Sequence, residues 1–267
     1  MAQVHSVLVR AGREPCAVTG RPAAPCLRPY VAGYSAFVTG TGAAGRRLLP
    51  LGHAVVIVDF AGQCALATGP RDGALVQDAA WQQGVAFGLT PTGVRAVLGP
   101  PMRELTGAVI PLGDLLGARA DELTGRLAAA PGWGARFAVL DSLLTAWLRP
   151  ERPERQADAT AALGWRRLQD AGGKPAIAKL AADMGVGRRR LETGFCREFG
   201  LTPKTVARIA RFQDAMGVLA EPSGTLGAAA ARGYADQPHF NREVRAMAGI
   251  TPTELRALIQ DTVLLPG

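Results

Sequence analysis

Three adjacent arginines, Arg188-Arg189-Arg190, occur together once in the chain, and further on Gln237, Asn241 and Arg242 follow at helical spacing. These side-chain types can read nucleic-acid bases. Arg can bridge O6 and N7 of guanine, and Asn or Gln can bridge N6 and N7 of adenine. The lysines cluster the same way, since Lys174, Lys179 and Lys204 all lie in the second half. Arg188, Lys204 and Arg208 are placed to hold phosphates, which fixes register without reading sequence. Glu192 and Glu243 have an alternative, pairing with an arginine on their own helix.

Other chemistries lack their residues. Cys16, Cys26, Cys64 and Cys196 are too far apart for a zinc knuckle or a redox pair. His5, His53 and His239 are equally scattered, and no nucleophile and base stand together, so neither a metal, a cofactor nor an enzyme is expected. Gly40-Thr41-Gly42-Ala43-Ala44-Gly45 spells GxGxxG, yet it runs into Pro50 where a helix should open, so it reads as a loop. The longest apolar stretch, Ala54 to Val58, stops at Asp59, far short of the roughly 20 residues that span a bilayer. Met1 to Ser6 lack a basic head followed by an apolar segment, and a cytoplasmic, membrane-free protein is expected. With 30 Lys+Arg against 22 Asp+Glu, the 267 residues carry a net charge of +8, which favours a polyanionic partner.

The elements that must position the polar side chains are helices. Ile177 to Met184 presents Ile177, Leu180 and Ala181 on one face and stops at Gly185. The next helix, Arg188 to Phe199, turns Leu191, Phe195 and Phe199 inward and leaves a polar outer side. The layout then recurs. Thr225 begins a short helix, Gly233 breaks it, and Asp236 caps a helix with Phe240, Val244 and Met247 inward. Each second helix ends in a matching phrase, Gly200-Leu201-Thr202-Pro203 and Gly249-Ile250-Thr251-Pro252, 49 residues apart. Pro203 to Leu219 joins the two units as one long helix, with Val206, Ile209, Phe212 and Leu219 on its apolar side. Helix, turn and second helix is the layout in which the second helix enters a DNA major groove.

Upstream, strand signals fill residues 28 to 90, in Tyr30 to Thr39, His53 to Phe60 and Val85 to Leu89. Short helices are expected around Val94 to Leu98 and Leu112 to Leu116, and two longer amphipathic ones follow, through Leu123 and Leu127 and from Phe137 to Leu148. Trp81, Trp133, Trp147 and Trp165 read as buried. The run Arg149 to Arg155, charged and with two prolines, reads as a linker. The expected fold class is α+β: a mixed, mainly β amino-terminal domain closed by helices (1–149), a linker (150–158), and an all-α domain of two helix-turn-helix units (159–262).

The residues Leu180-Ala181-Ala182-Asp183-Met184-Gly185-Val186, then Leu191, Phe195 and Gly200-Leu201-Thr202-Pro203-Lys204, resemble the first helix-turn-helix of AraC/XylS-type transcription regulators. Gly233-Tyr234-Ala235-Asp236-Gln237-Pro238-His239-Phe240-Asn241-Arg242-Glu243, continuing through Gly249-Ile250-Thr251-Pro252, resembles the second. Residues 48 to 148 resemble the uncharacterised amino-terminal domain fused to such regulators in high-GC bacteria. The resemblance implies base contacts at Arg189, Glu192 and Thr193 in the first unit and at Gln237, Asn241 and Arg242 in the second. His239 reads as a surface or phosphate contact, and Tyr234 as a brace of the second unit. Implied partners are double-stranded DNA and RNA polymerase, together with either a small-molecule effector on the amino-terminal domain or a homodimer formed without one. Two positions depart from the family pattern. Gly187 stands where a capping Ser is usual, weakening the cap by a few tenths of a kcal/mol. Gly194 replaces a usual Arg, costing about 1 kcal/mol of helix propensity relative to Ala. Both predict a looser first unit.

Overall fold

The computed structural model describes residues 3–10, 16–40, 44–62, 64–78, 81–148 and 158–264, so the expected linker lies outside the described residues except for Asp158. Among the described residues the chain forms ten strands: β1 (Ser6–Arg10), β2 (Cys16–Arg21), β3 (Val31–Val38), β4 (Ala44–Leu48), β5 (Ala54–Asp59), β6 (Cys64–Thr68), β7 (Leu75–Gln77), β8 (Gln83–Leu89), β9 (Val109–Pro111) and β10 (Thr262–Leu264). They form a three-stranded sheet, β1-β4-β7, and a seven-stranded one, β10-β2-β3-β8-β5-β6-β9. Every pairing is antiparallel except that of β10 with β2. Thr41 to Ala43 of the GxGxxG stretch lie outside the described residues, and β4 opens directly after them.

The period of two sorts the central strands into two cores. Phe37, Val55, Ile57 and Ala86 face the smaller sheet, where they meet Leu48, Leu51 and Trp81. Tyr34, Ala36, Val56, Val58, Val85 and Phe87 face the helices. Strand β5 is therefore buried on both sides, which is why Ala54 to Val58 reads as an unbroken apolar run. It ends at Asp59, only 1% exposed, whose carboxylate accepts from the backbone N–H groups of Ala61, Gly62, Gln82 and Gln83 at 2.9–3.2 Å. Four donors on one carboxylate stabilise the buried charge and pin the strand end.

The helices begin with α1 (Pro91–Gly93), capped by Thr90 and continued by a π-helical turn over Val94–Leu98. A short 3-10 turn, Met102–Glu104, follows. Next come α2 (Leu112–Leu116), α3 (Ala118–Ala129) and α4 (Trp133–Trp147), with Leu123, Leu127, Phe137, Leu140 and Leu144 buried against the larger sheet. The helical part comprises α5 (Ala159–Asp170), α6 (Ile177–Asp183), α7 (Arg188–Phe199), α8 (Pro203–Leu219), α9 (Leu226–Ala230), α10 (Gln237–Ala248) and α11 (Pro252–Gln260). The chain is thus α+β, with its strands mainly before residue 112 and its helices mainly after. Strand content is wider than residues 28 to 90, because β1, β2, β9 and β10 lie outside that span. No helix among the described residues is long and apolar enough to cross a membrane.

The cores do not stop at the boundary between the two parts. Trp165, Leu191, Phe195 and Phe199 belong to the same buried cluster as the sheet residues Val56 and Phe87. Val7 of β1 and Leu49 join the cluster around Phe240, Val244 and Met247. Polar contacts reinforce this packing: Trp165 Nε1 donates to Gly52 O at 2.9 Å, and the Gln213 amide donates to Pro50 O at 2.8 Å and accepts from Val4 N at 3.0 Å.

His53 is buried and His5 half-buried, and desolvation holds both imidazoles down to about 4, with the Arg46 guanidinium adding to the effect at His5. The folded protein therefore keeps them neutral down to that pH, whereas the unfolded chain protonates them near 6.5. Their contribution is complete above pH 6.5 and is lost as pH falls towards 4, on the order of 1–3 kcal/mol for each histidine. Urea titrations between pH 7.5 and 4.5 should show this decline, and His53→Gln should flatten it; an equally steep decline in that variant excludes His53 as a cause.

Candidate nucleic-acid interface

The first unit is built from α6 and α7. Its turn, Met184 to Gly187, is bonded back by Val186 N to Ala181 O at 3.0 Å. Leu191, Phe195 and Phe199 are fully buried, and the rings of Phe195 and Phe199 meet edge to face at 5.0 Å. That stripe fixes the helix rotation and turns Arg188, Arg189, Arg190 and Thr193 outward, all of them exposed. Glu192 is half-buried, and its carboxylate takes the Arg188 guanidinium at 2.8 Å, the (i, i+4) pairing open to it from the sequence. Gly187 has extended backbone angles and makes no side-chain cap. Gly194 is buried where α7 meets α5: a Cβ there would lie 3.2 Å from Asp158 Oδ2 and 3.4 Å from the Ala161 methyl. The glycine thus has a packing reason, and the helix propensity it forgoes is offset by close contact with α5. Asp158 also accepts from Arg197 at 2.8 Å, tying the start of α5 to the last turn of α7.

The second unit repeats this plan with fuller chemistry. Thr225 caps α9, and Asp236 caps α10 by accepting from His239 N at 2.6 Å. Phe240, Val244 and Met247 are fully buried, so Gln237 and Arg242 are exposed and Asn241 is partly so. Gln237 Nε2 donates to Asn241 Oδ1 at 3.1 Å, aligning two amides along the outer face. His239 is half-buried against the Tyr234 ring at 5.5 Å, and its Nδ1 accepts from Ala235 N. Tyr234 also meets Phe240 edge to face at 5.1 Å and so braces the unit, its buried phenol pushed well above the usual tyrosine range by desolvation.

Between the units, α8 has Val206, Ile209, Phe212 and Leu219 fully buried. Its seventeen residues make a rod of about 25 Å. Lys204 is exposed at its start. Arg208 is half-buried and its guanidinium lies on the Glu243 carboxylate at 2.7 Å, so this pair joins α8 to α10, where the sequence offered Glu243 an arginine on its own helix. Contacts reaching the far ends of α7 and α10 from Arg47, Arg95 and Thr106 escaped the sequence reading, since neither motif marks residues so distant in the chain. Among the described residues, no three His, Cys, Asp or Glu side chains gather as a group that could hold a metal.

The two caps differ enough to measure. Asp236→Ala should lower stability by about 1 kcal/mol, whereas Gly187→Ser, whose Cβ meets open space, should raise it by a few tenths. Denaturant unfolding of the two variants checks both signs, and a destabilised Gly187→Ser would show that α7 starts elsewhere.

Compared with known proteins, residues 180–258 match the family model described as "Helix-turn-helix domain". ToxT from Vibrio cholerae is similar in structure with 9% identity over 96% of this chain and 99% of that one, at a TM-score of 0.48. The unsaturated fatty acid-bound form of ToxT aligns at 8% identity over 98% and 93%, with a TM-score of 0.44. CdpR from Pseudomonas aeruginosa aligns at 21% identity over 66% of this chain and 46% of its own, with a TM-score of 0.34. At these values the structural likenesses carry no statement about what this chain binds. No curated protein matches the chain. The family match falls on the doubled unit built above: over residues 180–258 the chain carries a helix-turn-helix domain, which supports a DNA-binding transcription regulator.

Proposed function

We propose that α7 and α10 read two successive major-groove segments on one face of a duplex, about one helical turn (~34 Å) apart. The observation that carries this reading is the repeat itself. Two helices of equal length, each ended by a left-handed glycine and followed by a Thr-capped helix with Pro at its start, turn polar faces outward from one shared connector. Arg189, Glu192 and Thr193 face bases in the first segment, and Gln237, Asn241 and Arg242 in the second. Arg188, Lys204, Arg208 and His239 take phosphates. Two of these compete with pairs already formed, Arg188 with Glu192 and Arg208 with Glu243, so Lys204 is the freest phosphate contact, while of the base contacts Arg189 and Arg242 are both exposed and outside those pairs.

Residues 1–149 form the regulatory part in this reading, and residues 159–262 the DNA-reading part. A cavity between the sheets, lined by His5, Leu49, Val55, Ile57 and Arg71 among others, measures about 10 Å³, and another, lined by Gln3, Gln169, Gln213 and Asp214 among others, about 40 Å³; an effector of ordinary size would need either of them to open. The competing version, a homodimer through α3 and α4 without effector, is separated from it by sedimentation of the full chain beside a thermal-shift screen. RNA polymerase is the further partner that transcription control implies.

Selection of bound fragments from random DNA tests the reading. The expected product is a two-part site with its centres one turn apart; a single short segment would sink it. Arg242→Ala should lose about 1–3 kcal/mol and relax one base position. Lys204→Ala should weaken all sequences alike and lower the salt slope by about 1. Binding isotherms across a salt series distinguish the two behaviours.

A further inference from the structure

The β-rich part touches both recognition helices, and it touches them at the same place. The last carbonyls of any helix lack partners within it. In α7, Phe199 O accepts from Thr106 Oγ1 at 2.6 Å; in α10, Ala248 O accepts from Arg47 Nη1 at 3.0 Å. Phe199 and Ala248 occupy matching positions of the 49-residue repeat, each just before a left-handed glycine, Gly200 (φ +67°) or Gly249 (φ +70°). Each donor lies directly over its glycine: a Cβ on Gly200 would come within 3.0 Å of Thr106 Oγ1, and one on Gly249 within 3.2 Å of Arg47 Nη1. A second contact flanks each, Arg103 Nη1 to Arg197 O at 3.1 Å and Ala74 N to Met247 O at 2.7 Å. Behind α7, Arg95 holds Glu198 at 2.6 Å with both side chains largely buried. A buried pair resists separation because parting it strands a charge.

The two donors belong to one hydrogen-bonded frame. Four residues after Arg47, Leu51 O accepts from Arg71 N at 3.0 Å; Pro70 O accepts from Gly107 N at 2.9 Å, and the Arg71 guanidinium donates to Ala108 O at 2.9 Å. Thr106 is the residue before Gly107. All the contacts fall on the last turn of each recognition helix, and the exposed Arg189, Thr193, Gln237 and Arg242 lie upstream of them. The frame therefore holds the helices without covering the faces that would meet DNA.

We infer that Thr106 and Arg47 are positioning residues for DNA recognition, fixing the mutual orientation of α7 and α10 so that both meet a duplex at one preset spacing. The inference rests on the two-segment reading above. A second unit held in place binds as an intramolecular partner, and loosening it lowers affinity only for DNA that engages both.

The test uses the full chain with Cys26→Ser, Cys64→Ser and Arg245→Cys. Spin labels then sit on Cys196 and on position 245, exposed and matching places on the two helices, while Cys16 stays buried. In free protein, electron–electron distance measurements should give one narrow separation, which Thr106→Val with Arg47→Met broadens. The same pair of substitutions should weaken binding to a selected two-part site about tenfold and to one segment less than about twofold. Thr106→Ser, which keeps the hydroxyl, should behave as the parent, and Thr106→Val alone serves if the double variant does not fold. An unchanged distance distribution overturns the inference, as does tighter binding or an equal loss on both DNAs. A parent that binds only one segment, yet whose distances broaden in the variant, removes the two-segment reading and with it the role in recognition, while leaving the frame itself intact.

Discussion

A helix that presents its first turns to a ligand must end somewhere, and its last carbonyls need donors that do not intrude on the working face. Here α7 and α10 each close on a left-handed glycine with the final carbonyl taken by a side chain from the β-rich part. Much of the architecture follows from meeting that demand twice. The frame carrying Arg47 and Thr106 is built on sheets whose central strand is buried on both sides. The helical part must lie against the frame, and shared apolar clusters on both units keep it there.

Charge is used differently on the two sides of each helix. Towards the frame, the Arg95–Glu198 pair is largely shielded from water, where an ion pair specifies geometry more than it adds net stability. On the outer face, Arg188–Glu192 is exposed and worth little, so it opens at little cost. Arg208–Glu243 lies between these cases, partly sheltered and spanning two helices, and it couples α8 to α10. The second unit has the more complete local support, with Asp236 capping α10 and Tyr234 wedged against Phe240 and His239. The first unit lacks a cap at Gly187 and draws its support from α5 and from the frame.

Local signals made the helical part legible. Leu191, Phe195 and Phe199, then Phe240, Val244 and Met247, repeat at helical steps, and Gly185, Gly200, Gly233 and Gly249 punctuate them, so the boundaries of α7, α8 and α10 emerge from neighbours alone. The central strands were legible for the same reason. Strands β1, β2 and β4 were not: Cys16–Arg21 and Ala44–Leu48 mix Gly and Arg with apolar residues, and their partners are chosen across the sheet rather than along the chain. The packing role of Gly194 was equally hidden, because what it makes room for is Ala161 on another helix. The outward faces of α7 and α10 could be listed from periodicity, but the engagement of Arg208 by Glu243 required the crossing of α8 and α10.

Strand β10 lies in parallel beside β2, with Thr262 opposite Cys16 and Leu264 opposite Val18. Nearly 250 residues separate these partners, so this seam carries a high loop-closure entropy and belongs to the slow, non-local part of folding. On the ribosome, the flank of β2 stays bare until residue 264 has left the exit tunnel, and a bare strand flank invites pairing with other chains. Crowded synthesis would therefore expose this protein to strand exchange at that seam, a hazard its helical half does not share.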